Sequence, residues 1–319
     1  MLESPVRPVR WLPEPSARGQ ALLQGRPLLA IEAATLLVMA VVVATRLWQD
    51  YPWLGFAIVG VTAVAWLPEL WVVRARRWWF VYVAGIFVYT LLRSLADETT
   101  IPIRTGYVID ADSWLFGGTT PVEHLQERLF SRGNIDLLDY FAVAVHWSFF
   151  IAPHALAVAL FAWRRDLFRR YTVVVVGSMY LGLLLFFLLP TVPPWMASER
   201  GALPGVYRVM DFVGGNVSTE TYEQFYASLG EPNSVAAMPS IHLAITLAMF
   251  LIVRPYYPKL AAGLLAYTAV MGVALIYLGE HYFLDLAVGA MVAVVCYALS
   301  WRMARPAHEH PREVKASPR

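Results

Sequence analysis

Apolar runs of about the length of a bilayer crossing recur along this chain, and they leave it few ways to fold. They lie at roughly 28–48, 53–73, 78–96, 141–163, 171–190, 238–254, 260–279 and 282–302, each near the ~20 residues a helix needs to cross a hydrocarbon core. A backbone in hydrocarbon must satisfy its own hydrogen bonds, and stretches of this length do so as helices. Of 319 residues, 58% are hydrophobic and 15% charged, too apolar for a soluble protein of that size. The expected fold class is all-α, a polytopic membrane protein of about eight transmembrane helices. Residues 1–27 and 303–319, polar and rich in proline and arginine, read as tails around a single membrane domain at 28–302. The first run follows a basic segment without a small-residue cleavage site, so it reads as a retained helix.

Charge sets the expected orientation. Arginine and lysine at the N-terminus, in the turns holding Arg74, Arg76 and Arg77, at Arg164, Arg165, Arg169 and Arg170, at Arg254 and Lys259, and from Arg302 onward make up 18 of the 25 basic residues. Basic short loops face the cytoplasm, which places both termini there and puts loops 97–140 and 191–237 on the extracytoplasmic side. The lone cysteine, Cys296, excludes an internal disulfide and a cysteine-rich metal site.

Two motifs on that expected outer side carry chemistry. In His281-Tyr282-Phe283-Leu284-Asp285 the histidine and aspartate share a helix face at i, i+4, so the carboxylate holds one ring nitrogen and leaves the other free to attack. In Met238-Pro239-Ser240-Ile241-His242 proline suits the first helical position, which leaves the amides of Ser240 and Ile241 to face an anion, with His242 beside it as a proton donor. The segment Asp112–Gln126 mixes aromatic and polar residues and reads as interfacial. Leu189-Pro190-Thr191-Val192-Pro193-Pro194-Trp195 stops a span with closely spaced prolines. Asp136, Asp139, Glu123 and His124 read as surface residues, and His146 and His154 as packing residues within the fourth span.

These two motifs, with their order and shared face, resemble the type 2 phosphatidic acid phosphatase superfamily, in the branch that holds fungal inositol phosphorylceramide synthase and related bacterial proteins. The likeness covers about residues 93–290. It implies a helical catalytic core with interfacial loop helices. His281 is then the nucleophile that becomes a phosphohistidine, Asp285 its orienting partner and His242 the general acid, while Ser240 and nearby amides hold phosphate oxygens. The phosphatase pattern Lys-x6-Arg-Pro has no match near Leu189-Pro190, and Ala274 and Leu275 stand where a Ser-Arg pair is usual. Arg93, Arg104, Arg200 and Arg208 are the candidates to replace that positive charge. Arg93 is preferred because it closes an apolar span, with Arg200 beside it in the phosphate-binding set; an i, i+4 pair with Asp97 is the alternative for Arg93. Glu280 opposes an anion unless it is turned away or neutralised.

The expected activity is transfer of a phosphoryl or phospho-head group from a lipid-linked donor, an inositol phospholipid by the resemblance, to an alcohol. The alternative is a lipid phosphatase that uses water, and a proton-coupled transporter is a third class. No metal, cofactor or nucleic-acid partner is expected.

Overall fold

A computed structural model describes residues 73–93, 101–217 and 236–303, and every regular element among them is a helix. The expected span at 28–48 and nearly all of that at 53–73 lie outside the described residues. The helices are α1 (Val73–Arg93), α2 (Gly106–Leu115), α3 (Pro121–Leu129), α4 (Leu137–Ser148), α5 (Ala152–Trp163), α6 (Arg165–Leu188), α7 (Pro194–Glu199), α8 (Val209–Val217), α9 (Ile241–Val253), α10 (Pro258–Tyr277) and α11 (Phe283–Met303). By length and composition α6, α10 and α11 can each cross a membrane, and α4 with α5 makes a fourth crossing if that bent pair is one span. Trp78–Thr90 within α1 and all of α9 are shorter apolar helices.

The expected span at 141–163 is where the structure departs most from the sequence reading. It is two helices with a bend of 41° between them. Pro153 sits in the first turn of α5; its nitrogen has no hydrogen to donate, and its ring excludes the carbonyl four residues back, at Phe149. The amides of Phe149, Phe150 and Ile151 turn instead to carbonyls three residues back, at His146, Trp147 and Ser148 (3.2, 3.1 and 3.0 Å). That tighter winding ends α4.

Two short helix starts are fixed by capping boxes. Thr120 and Glu123 close the first turn of α3 behind Pro121, and Asp136 and Asp139 do the same for α4. Such caps contribute about 1 kcal/mol each. Asp139 is therefore not a surface residue: it is buried and also accepts a hydrogen bond from the Tyr277 hydroxyl.

In the bundle α6 packs against α1, α5, α9 and α11, and α9 packs against α10 and α11. Trp79 and Tyr82 of α1 meet Phe161 of α5 and Phe168 of α6 at ring separations of 5.5 to 6.0 Å. Lipid tails compete with such side chains on equal terms, so it is close interdigitation that holds these helices together. α6 and α10 end, and α9 and α11 begin, at the end of the bundle that carries the histidine motifs. The arginine-rich turns lie at the other end, where Arg164 before α6 bonds Tyr257 before α10 at 3.1 Å.

Candidate active site

His281 lies in the turn between α10 and α11, two residues ahead of the helix rather than on it. Gly279 makes that turn with φ +77, and a side chain there would also strike the carbonyl of Tyr207. The turn lets Asp285, in the first turn of α11, reach back across the helix end. Its Oδ2 lies 3.2 Å from His281 Nδ1 and accepts the Tyr282 amide at 2.9 Å. Asp285 is fully buried and His281 is 5% exposed, so water offers the carboxylate little competition for the imidazole. The expected pairing is present, reached through a loop instead of a helix face.

His281 Nε2 faces His242 Nδ1 of α9 at 3.4 Å. The His242 ring packs on Phe149 at 4.4 Å and lies 5.0 Å from the ring of His146. His146 lies in the last turn of α4 and Phe149 directly after it, so both neighbours stand at the start of the α4–α5 break. His146 is buried with Nδ1 unbonded among the described residues. The sequence reading left it as packing; only the broken span brings it to the histidine pair. His154 bonds the Tyr82 hydroxyl at 2.9 Å, away from that pair.

Ser240 sits differently in the helix from what the sequence suggests. It is the N-cap of α9, its hydroxyl accepting from the Leu243 amide at 3.3 Å, and Pro239 precedes the cap instead of opening the helix. Its own amide donates to the carbonyl of Asp285 at 3.0 Å. That amide joins the helices that carry His242 and Asp285, where it was expected to face an anion. The close approach requires Gly289, because a Cβ there would sit 2.3 Å from the Ser240 carbonyl oxygen.

Asp112 of α2 is 1% exposed. Its carboxylate accepts the amides of Phe283 and Leu284 at 2.8 and 3.0 Å, capping α11 from 171 residues away in sequence. The helix it caps is α11 and not its own. Burial pushes its carboxyl above the usual carboxylate range, and the two amides pull it back down. Gln126 of α3 is a second clip: its amide nitrogen donates to the carbonyls of Tyr207 and Tyr277, and its oxygen accepts from the Tyr207 amide, all at 2.8 Å. Asp112→Ala leaves two helix-end amides without their acceptor, at about 1–2 kcal/mol. We expect a lower unfolding temperature together with at least a tenfold drop in turnover. An unchanged rate in the folded variant would show that the cap does not position His281 and Asp285.

The arginines sort differently from expectation. Arg208, not Arg200, stands beside the histidine turn: its Nε bonds Glu280 at 2.8 Å, its Nη1 lies 3.3 Å from Asp211, and it covers the Trp195 ring at 4.8 Å. Glu280 is thus neutralised next to His281. Arg200 is exposed at the end of α7. Arg93, half-buried in the last turn of α1, is within electrostatic reach of His242; Asp97 lies outside the described residues. Arg104 is exposed, its backbone amide bonded to Pro190. The sequence reading named Arg208 among its candidates but ranked Arg93 first for closing an apolar span; the ion pair with Glu280 is what distinguishes Arg208 here.

The geometry suits nucleophilic catalysis. One imidazole is held by a buried carboxylate at one nitrogen and presents the other to a second imidazole 3.4 Å away, so a nucleophile and a proton donor stand side by side. The chain spans 60% and 61% of the length of two fungal proteins that it resembles. These are the inositol phosphorylceramide synthase catalytic subunits of Schizosaccharomyces pombe (23% identity over 80% of this chain) and Saccharomyces cerevisiae (23% over 77%). The inositol phosphorylceramide synthase of Candida albicans is 26% identical over 52% of this chain and 36% of its own length. Among solved structures, that of Aquifex aeolicus LpxE aligns with a TM-score of 0.42 and 19% identity, covering 55% of this chain and 92% of that one. The model of the PAP2 superfamily matches residues 107–299, a stretch that holds His146, Arg208, His242, His281 and Asp285. With that match over more than half its length, and with helices long and apolar enough to cross a membrane, this chain belongs to the PAP2 superfamily.

Proposed function

We propose that the chain transfers a phospho-head group from a lipid-linked donor to an alcohol through a phosphohistidine on His281. The observation that carries this is the run of contacts from Asp285 Oδ2 to the His281 ring and from that ring to His242 Nδ1, at 3.2 and 3.4 Å. Asp285 fixes the proton on Nδ1, so Nε2 keeps its lone pair for phosphorus. As the N–P bond forms, the bond from phosphorus to the leaving oxygen breaks and that oxygen takes a proton from His242. In the second half the acceptor hydroxyl gives its proton to His242 and attacks phosphorus, and the P–N bond breaks. Charge on the equatorial oxygens is the main demand of such a transfer; Arg93 and Arg208 are the cations we assign to it, with Ser240 holding its loop and Arg200 contributing only from the exterior.

An alcohol is favoured over water as the acceptor because the synthases named above align along most of this chain. Their name also brings forward an inositol phospholipid as donor. In our reading the core lies within eight spans over residues 28–302 with both tails cytoplasmic, the site faces outward, and neither cofactor nor metal takes part.

The test is product formation by purified protein from inositol phospholipids and lipid phosphates, with and without alcohol acceptors. Product that requires an alcohol supports transfer. Release of phosphate or head group without one gives the phosphatase instead. Turnover is expected to survive a chelator, and loss that returns with added metal would overturn the metal-free scheme.

A further inference from the structure

At the end of the bundle away from the histidines, one cation stands in a setting that the reaction does not use. Arg170 lies five residues into α6, about 7.5 Å along the axis from its first residue, and is 7% exposed. Among the described residues none accepts a hydrogen bond from its Nε, Nη1 or Nη2, although all three are buried. Its partners are aromatic faces of α11: the guanidinium carbon lies 3.5 Å from the Trp301 ring centroid and 5.3 Å from that of Tyr297. The nearby acid Asp166 is taken by Arg164 at 2.9 Å.

Cation–π contact attracts the charge but fills none of the five donor positions of a guanidinium. A buried charge without an acceptor is among the costliest arrangements in a membrane helix, and here it marks a site whose acceptor comes from outside the described helices. The planar fork of arginine fits a phosphate better than any other common anion. At this depth, beside a half-exposed tryptophan at the end of a span, the phosphates within reach are those of lipid head groups. We propose that Arg170, covered by Trp301 and Tyr297, binds the phosphodiester of an anionic phospholipid in the leaflet on the side away from the histidine pair. This site is separate from the catalytic one, since α6 and α11 each run the length of a span between the two.

The test uses the full chain, purified and delipidated in detergent, with its unfolding temperature measured after adding phosphatidylglycerol, phosphatidylcholine or inorganic phosphate. Phosphatidylglycerol is expected to raise the midpoint by about 5 °C more than phosphatidylcholine does, and Arg170→Met is expected to abolish that difference. Arg170→Lys, which keeps the charge but loses the fork, is the second variant; it should at least halve the difference even if the methionine variant cannot be purified. Equal effects of the two lipids, or a full phosphatidylglycerol effect in either variant, would overturn the proposal. So would inorganic phosphate matching phosphatidylglycerol, because the ligand would then be a free anion rather than a lipid.

Discussion

Replacing His281 with alanine should lower turnover by a factor of about 10⁴ or more, with the protein still folded and inserted. In the proposed mechanism the variant loses the atom that attacks phosphorus; of its two neighbours, Asp285 is buried behind the ring and His242 is assigned to the leaving oxygen. The fold should tolerate the change, because the turn is held by other groups. The Tyr282 amide remains on Asp285, the Phe283 and Leu284 amides remain on Asp112, and the Glu280 amide remains on the Leu275 carbonyl. Radiolabel from a head-group donor should be trapped on the wild-type chain after acid-free quenching and be absent from the variant. Label that persists at another residue would remove His281 as nucleophile.

His242→Ala should cost about 10²–10⁴ in turnover, the usual range for a lost general acid. Its signature differs from that of the first variant. A donor whose leaving group departs without protonation, such as a nitrophenyl phosphodiester, should restore formation of the phosphohistidine in His242→Ala and leave His281→Ala inactive. Rescue of neither would mean that His242 does more than protonate the leaving oxygen. Rescue of both would mean that attack does not depend on His281 at all.

The residues show where sequence reading succeeds and where it stops. His281 and Asp285 were legible because four residues bring two side chains together either on a helix or across the start of one; the pairing survives although the helix begins later. The apolar character of α6, α10 and α11 was equally plain. The α4–α5 break was not, since hydropathy averages over Pro153 and reports one run. His146 went with it, for its place at the site depends on that bend. Ser240 was read with Pro239 opening the helix and its amide left for an anion; the helix begins after Ser240, and the carbonyl of Asp285 in a neighbouring helix already accepts that amide. Arg208 and Asp112 act across 72 and 171 residues of sequence, separations that no local pattern encodes.

The catalytic turn is moored to the rest of the molecule largely through main-chain groups. Asp112 takes the amides of Phe283 and Leu284, the Ser240 amide takes the carbonyl of Asp285, the Trp195 amide takes that of Gly279, and Gln126 grips Tyr207 and Tyr277 by their backbones. Most side chains facing the substrate are therefore not what keeps the imidazoles in register. Such a site can exchange its lining residues, and with them the head group and acceptor it admits, while its reactive geometry stays where it is. Diversification of lipid specificity then needs substitution only in the wall of the pocket, and the scaffold beneath it carries the chemistry forward unchanged.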